Sequence, residues 1–150
     1  LAILMLIGGS PGGTAGGMKT TTLAVLVANA RAVFTRSDEA HIYKRRIPDD
    51  TIKSAATIAM MYIVLCVLSA LFVSRVESCT FVEAVFETAS AVGTVGLTLG
   101  ITPGLHAVSK ILLSALMFLG RVGGLTIIFA ALPVVKNTFS KLPQEKIAVG

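Results

Sequence analysis

The stretch that decides the fold is residues 80–102, T-F-V-E-A-V-F-E-T-A-S-A-V-G-T-V-G-L-T-L-G-I-T. Thr80, followed three residues later by Glu83, is a capping box, which predicts that a helix of about three turns begins here. The helix, residues 81–92, is expected to end there because residues 93–99 combine glycine with β-branched side chains, which favours extended backbone. The sequence therefore predicts a short helix that leads into an irregular segment with free carbonyl groups.

The irregular segment has the composition of a cation filter. Thr94, Val95 and Gly96 resemble the start of a potassium-channel filter, which continues Tyr-Gly where this chain has Leu97 and Thr98. Carbonyl groups at the C-terminal, partially negative end of a short helix can replace the water shell of a monovalent cation. The carbonyl groups of Thr94, Val95, Gly96 and Leu97 are therefore the predicted ion ligands.

The composition is that of a membrane protein. Apolar residues make up 54% of the chain, charged residues 14%, and the mean hydropathy is +0.83, far from the averages of soluble domains. Residues 55–74 carry no charge over a length that spans a hydrocarbon core of about 30 Å. Residues 104–135 form a second predicted span, interrupted by Lys110 and Arg121. Residues 1–34 are interpreted as a third, broken transmembrane helix.

Charge placement predicts the orientation in the lipid bilayer. Basic residues concentrate in residues 35–54 and 136–150, whereas Arg75 is the basic residue between residues 75 and 109. Because basic flanks favour the cytoplasm, both basic segments are predicted to be cytoplasmic, and the short helix must re-enter rather than cross. These flanks account for the net charge of +5, so no nucleic-acid partner is predicted.

A second irregular segment, residues 8–19, reads G-G-S-P-G-G-T-A-G-G-M-K. Each glycine weakens a helix by roughly 0.8–1.0 kcal/mol relative to alanine, and proline removes a donor. The run therefore predicts an unwound loop between two half-helices, with the second helix resuming at Thr20. Irregular backbone at membrane depth is tolerated where it is packed in protein or lines a watery cavity, which indicates a pore.

A phosphate-binding loop is a competing interpretation of this glycine-rich segment. A Walker A loop needs Gly-Lys-Ser/Thr contiguous after a buried strand, whereas Met18 separates Gly17 from Lys19. Nucleotide binding by the segment, and with it an ATP-dependent pump, is disfavoured. Close helix packing through small residues is the other alternative, and for Gly120 and Gly124 it is the preferred one.

Arg121 is the charged residue that a membrane interpretation has to explain. A guanidinium near mid-membrane is costly and by default functional, so Arg121 is predicted to face the pore. The carbonyl groups of the unwound loop and the carboxyl group of Glu87 are its candidate partners. No disulfide is expected, since Cys66 lies mid-span and Cys79 outside it, and no metal-ligand cluster is apparent.

Three motifs resemble the Ktr/Trk potassium-transporter family and occur in its order. They are G-G-S-P-G-G-T-A-G-G-M-K-T-T-T (8–22), F-E-T-A-S-A-V-G-T-V-G-L-T (86–98) and F-L-G-R-V-G-G-L-T (118–126). The resemblance to the Ktr branch is close and extends to E-K-I-A-V-G at residues 145–150. It implies an all-α integral membrane protein built from four non-identical, potassium-channel-like helix–pore-helix–helix repeats. This chain would contain the last half-helix pair of repeat three and the complete repeat four.

The resemblance also assigns segments and residues. Residues 1–34 would end repeat three, 35–54 form a cytoplasmic loop, 55–135 form repeat four and 136–150 form a cytoplasmic tail. The family's filter glycine falls on Gly96, and its pore-facing arginine on Arg121. Its intramembrane gating loop falls on Gly12, Gly13, Thr14, Ala15, Gly16, Gly17 and Lys19.

The function that the resemblance implies is potassium uptake through a channel-like pore, with sodium dependence left open. Potassium would bind at the filter carbonyl groups alone, and a nucleotide would act only through a partner, a cytoplasmic regulatory ring of the RCK/KTN type. The protein is expected to be a homodimer in the bacterial plasma (inner) membrane and not an enzyme. The alternative of a different class is a non-conducting helical membrane scaffold or assembly subunit whose glycines serve packing.

Overall fold

The computed structural model describes residues 1–13, 15–37, 39–42 and 45–122. Three predicted features lie outside these residues: the gating-loop residue Thr14, residues 123–135 of the 104–135 span with Gly124 among them, and the cytoplasmic tail at 136–150. The described part of the chain is mostly helical.

Five helices and one two-stranded hairpin follow one another along the described residues. The helices are α1 (Ala2–Ile7), α2 (Thr20–Phe34), α3 (Asp49–Glu77), α4 (Phe81–Gly93) and α5 (Ala107–Val122), with a 3-10 turn (Thr102–Gly104) before α5. The helix that follows the glycine-rich loop begins at Thr20, as predicted. The strands β1 (His41–Ile42) and β2 (Arg45–Arg46) pair antiparallel between α2 and α3.

The hairpin was not predicted from the sequence, from which a plain loop is expected at residues 35–54. The loop folds back on α2 because Ala32, Ala40 and Ile47 bury their side chains together. The backbone N–H of Ile47 donates to the carbonyl of Ala40 at 2.9 Å, and Arg46 forms an ion pair with Glu39 at 2.7 Å. The described part of the connection between α2 and α3 is therefore packed against α2.

Helix α3 is the one described helix that is long and apolar enough to cross a membrane, judged by length and composition. It has 29 residues, which corresponds to about 43 Å at 1.5 Å per residue. Pro48 lies at its N-cap without a side-chain hydrogen bond, and Asp49 and Asp50 occupy the first turn, near the positive end of the helix dipole. Large apolar side chains are exposed along it, a surface suited to lipid or further apolar protein. They are Met60, Ile63, Val64, Val67, Leu68, Leu71 and Phe72.

Helix α4 begins with the predicted capping box. The Thr80 hydroxyl accepts from the backbone N–H of Glu83 at 3.4 Å, and the Thr80 N–H donates to the Glu83 carboxylate at 2.9 Å. Helices α1, α3 and α5 all pack against α4. Its buried positions hold small or polar side chains, which allow the neighbouring backbones to approach closely. They are Ala84, Glu87, Thr88, Ala89, Ser90, Ala91, Val92 and Gly93.

The main cluster of buried apolar residues surrounds the C-terminal half of α4. It draws on the glycine-rich loop, α3, α4, the turn before α5, and α5 itself. Its members are Met18, Tyr62, Ala91, Val92, Leu105, Leu113 and Leu116. In lipid, which is as apolar as leucine, such packing is stabilised by close van der Waals contact. The loop, the end of α4 and α5 therefore meet in one packed region.

Candidate functional site

Helix α4 ends abruptly and is capped by backbone hydrogen bonds. The Thr94 N–H donates to the Ala91 carbonyl at 3.1 Å, and the Val95 N–H donates to the Ser90 carbonyl at 2.9 Å, the pattern of a Schellman motif. Thr94 itself has a left-handed backbone with φ +53°. A β-branched residue is strained in that conformation, and such strain is often kept at functional sites. The chain therefore leaves α4 abruptly at Thr94.

The irregular segment begins one residue later than the sequence predicted. Gly93 is still helical and fully packed, because a Cβ added there would collide with the Met5 carbonyl of α1. Glycine at 93 thus serves close packing between α1 and α4 rather than extended backbone. Residues 94–100 follow without regular secondary structure.

The predicted ion-binding residues lie on the surface of this chain. The side chains of Val95 and Leu97 are 44% and 48% exposed. Gly96 has φ +82°, and within the described residues no atom lies within 4 Å of the position that its Cβ would take. Glycine at 96 is therefore required by the backbone conformation and not by a neighbouring group.

The glycine-rich loop touches the first residue of this segment. The backbone N–H of Gly16 donates to the Thr94 hydroxyl at 2.8 Å, joining residues 78 positions apart in sequence. A Cβ on Gly16 would lie 2.7 Å from the Thr94 Oγ1 and 3.0 Å from the Gly120 carbonyl oxygen. The absence of a side chain at Gly16 is what lets the loop, Thr94 and α5 come together.

The predicted gating loop divides into a packed part and an open part. In the packed part, the Gly17 N–H donates to the Gly120 carbonyl at 3.3 Å, and the Met18 N–H donates to the Leu6 carbonyl at 3.0 Å. In the open part, Gly12, Gly13 and Ala15 are exposed. The Lys19 ammonium closes the loop by donating to the Ala15 carbonyl at 2.6 Å.

Arg121 lies in the last described turn of α5, directly after Gly120. A Cβ on Gly120 would collide with the Val92 carbonyl, so α5 passes very close to the end of α4 at this point. Since the Gly120 carbonyl also accepts from Gly17, Arg121 is adjacent in sequence to the residue where loop, α4 and α5 meet. The close-packing role predicted for Gly120 is therefore present.

Glu87 is a polar residue whose place in the site the sequence analysis did not identify, having considered it only as a partner for Arg121. It is 4% exposed, and its carboxyl group accepts hydrogen bonds from Thr98, Leu99 and Thr102. Two features of the sequence signalled this role. Glu87 lies one turn from Ala84 and from Ala91, on the buried face of α4. Two threonines, Thr98 and Thr102, follow the predicted filter.

In the described residues, a buried short helix thus presents an exposed irregular segment, beside one helix long and apolar enough to cross a membrane. The chain matches the family described as TrkH, cation transport protein, over residues 1–143, and it belongs to that family. The resemblance to the Ktr/Trk family drawn from the three motifs is thus confirmed. The family is one of transporters and not of enzymes.

Named relatives agree with this family. The chain is 37% identical over 153 residues to the potassium/sodium uptake protein NtpJ of Enterococcus hirae, with 98% of this chain and 34% of the relative covered. It is 36% identical over 145 residues to the Ktr system potassium uptake protein B of Bacillus subtilis, covering 97% and 31%. The Ktr system potassium uptake protein D of Bacillus subtilis is also 36% identical, over 152 residues, covering 100% and 33%. The chain therefore spans about a third of the length of these relatives.

Proposed function

We propose that this chain forms part of the pore of a potassium uptake protein, through which potassium moves down its electrochemical gradient. The observation that carries the proposal is the exposed segment 94–97 at the C-terminal end of a buried short helix, in a chain of a cation-transport family. The relatives named as potassium uptake proteins support potassium as the ion. The chain would contribute the last half-helix pair of one helix–pore-helix–helix repeat and the next complete repeat.

The proposed ion ligands are the backbone carbonyl groups of Thr94, Val95, Gly96 and Leu97. The C-terminal end of α4 carries a partial negative charge of about half an elementary charge, which favours a cation beside it. Carbonyl oxygens replace the hydration shell of potassium at low cost when their positions are fixed in advance. Three further repeats would complete the ring of ligands.

The glycine-rich loop and Arg121 are the proposed gate. A fixed positive charge repels potassium, so a cation held next to unwound backbone in the same path would form a barrier. The open residues Gly12, Gly13 and Ala15 can change conformation at low cost, because several backbone states of glycine lie close in energy. The contacts of Gly16 with Thr94 and of Gly17 with Gly120 support this placement, since they bring the loop to the base of the proposed filter.

Regulation would act from the cytoplasm. Residues 35–54 and 136–150 are proposed to face the cytoplasm of a bacterial cell, where a nucleotide-binding ring of the RCK/KTN type would contact a homodimer of the pore subunit. The hairpin supports this, because its packing on α2 through Ala32, Ala40 and Ile47 gives the 35–54 connection a fixed surface. Movement of that surface would reach the loop through α2, which begins at Thr20. Sodium dependence of the potassium uptake is part of the same proposal.

Isotope flux into liposomes that contain the full-length protein tests the proposal against a non-conducting scaffold. A pore predicts uptake of a potassium or rubidium tracer that an outward potassium gradient drives and that stops when the gradient is removed. Protein-free liposomes are the control. Flux equal to that control, from protein that elutes as a single folded species, would contradict the pore and favour a scaffold whose glycines serve packing.

A further inference from the structure

A buried carboxyl group lies on the helix that leads into the proposed filter. Glu87 is in the middle of α4 and 4% exposed, among small side chains of the helix-packing region. A carboxyl group in such surroundings is costly unless hydrogen bonds satisfy it, and a buried ionisable residue at membrane depth usually has a function. The structure shows what Glu87 binds.

Within the described residues, the hydrogen bonds that Glu87 accepts come from the segment directly after the filter. One carboxyl oxygen, Oε1, accepts from the Thr98 hydroxyl and from the Leu99 backbone N–H, the latter at 3.1 Å. The other, Oε2, accepts from the Thr102 hydroxyl at 2.9 Å. Both oxygens of one side chain are therefore used to hold a five-residue segment against α4.

This segment is also tied to itself around the carboxyl group. The Gly100 N–H donates to the Thr98 hydroxyl oxygen at 2.9 Å, and the Thr98 hydroxyl in turn donates to Glu87. Hydrogen bonds in such a chain strengthen one another in a low-dielectric region. Loss of the carboxyl group would remove the centre of the network rather than one bond at its edge.

The position of the segment bears directly on the last filter carbonyl. The Leu97 carbonyl and the Thr98 N–H share one planar peptide unit, so holding Thr98 limits the directions in which the Leu97 carbonyl can point. At the other end, the hydrogen bonds of Thr94 to α4 and to Gly16 fix the first filter residue. Between these ends Gly96 has open space at its Cβ position. The filter is thus held from its two ends.

We propose that Glu87 is a positioning residue of the ion filter, whose carboxyl group anchors residues 98–102 and thereby sets the discrimination between potassium and sodium. The inference rests on the proposed function, since it takes residues 94–97 to line the ion path. Selectivity depends on the placement and field strength of the carbonyl groups, and a loosened segment lets them close around the smaller sodium ion. Glu87 itself does not touch the ion.

Variants of the full-length protein test this by comparing potassium and sodium flux in liposomes. Glu87→Ala removes both acceptors, Thr102→Val removes the bond to Oε2 with little change of volume, and Glu87→Gln keeps a carbonyl acceptor and a group that can bond Thr102. Glu83→Ala is the matched control, because Glu83 lies one turn earlier on α4 and binds Thr80 instead of the filter segment.

The expected result is a fall in the potassium-to-sodium flux ratio of about tenfold in Glu87→Ala, equivalent to about 1.4 kcal/mol. Thr102→Val should lower the ratio by about threefold, and Glu87→Gln should restore it to within about twofold of wild type. Glu83→Ala should lower thermal stability while leaving the ratio unchanged. If Glu87→Ala does not fold, Thr102→Val decides alone.

Two results would overturn the inference. One is a wild-type ratio in a folded Glu87→Ala or Thr102→Val protein. The other is an equal fall in ratio in Glu83→Ala, which would indicate a general effect of weakening α4. A wild-type protein that conducts no cation contradicts the proposed function, whereas a selective wild type with unchanged variants contradicts the role of Glu87 alone. The two failures are therefore distinguishable.

Discussion

Gly16 in the glycine-rich loop and Gly96 in the irregular segment after α4 are required for different physical reasons. In the loop at residues 8–19, Gly16 is needed because a side chain would run into Thr94 and α5. In the segment at residues 94–100, Gly96 is needed because its φ of +82° is costly for any other residue, although the space around it is open. Substitution of Gly16 should therefore disturb packing, whereas substitution of Gly96 should disturb backbone direction.

The largest effect is expected for Gly16→Ala, which disturbs the packing of the glycine-rich loop against Thr94 and α5. Its Cβ would lie 2.7 Å from the Thr94 Oγ1, and overpacking of this kind costs about 1–3 kcal/mol. Flux should fall by about fivefold to about a hundredfold if this cost falls on the position of Thr94. Thermal unfolding in detergent and tracer flux measure the two consequences.

The control for that substitution is Gly13→Ala in the same loop. Gly13 is exposed, and the nearest atom to its Cβ position is the Ser10 carbonyl oxygen at 3.2 Å. The free energy of unfolding of the Gly13→Ala variant should differ from wild type by less than about 0.5 kcal/mol, as for surface positions in general. Equal loss in both variants would show that the loop is merely intolerant of alanine.

A smaller effect, of opposite sign, is expected when the gate is weakened. Arg121→Ala, or removal of Gly12 and Gly13, should raise flux by up to about tenfold, since a unit charge about 10 Å from the ion costs about 1–2 kcal/mol at an effective dielectric constant of about 20. Ion preference should stay near wild type in both. Because Gly16 binds Thr94, a deletion that also removes Gly16 should lose selectivity as well.

Flux measured with and without the cytoplasmic partner checks this prediction. The gate hypothesis expects the shortened loop to respond less to the partner. A shortened protein that reaches the membrane, transports at the wild-type rate and keeps wild-type regulation would show that Gly12 and Gly13 have no part in gating.

The smallest effect is expected for Thr94→Val, which removes the hydrogen bond between the glycine-rich loop and the irregular segment. Valine keeps the β-branched shape but cannot accept the Gly16 N–H, a loss of about 0.5–1.5 kcal/mol. Thr57→Val on α3, whose hydroxyl bonds its own helix at Lys53, controls for removal of a hydroxyl group. Thermal unfolding should separate the two variants, and an identical response would mean that the Gly16 bond contributes nothing.

The sequence predicted the local features of both regions because local rules determine them. The capping box at Thr80 placed the start of α4, and the change from glycine to an apolar run placed the start of α2 at Thr20. It also predicted irregular backbone around Gly96, where the structure has no regular secondary structure. These features depend on residues within a few positions of one another.

The contacts between regions could not be predicted in the same way. The hydrogen bond from Gly16 joins residues 78 positions apart, and no rule of spacing selects Thr94 over other threonines. The partner of Glu87 was open for the same reason, since several polar groups were available and the fold chose the segment that follows the filter. The Ala40–Ile47 pairing likewise depends on burial against α2.

The potassium-to-sodium flux ratio of Gly96→Ser, compared with that of Gly100→Ser, tests the central claim most directly. Both glycines have positive φ, +82° and +96°, and open space at the Cβ position, so the two substitutions impose similar backbone strain. The account predicts that Gly96→Ser loses discrimination against sodium by about tenfold or more, whereas Gly100→Ser loses at most about threefold. A folded Gly96→Ser protein that retains the wild-type ratio would contradict the assignment of residues 94–97 as the ion filter.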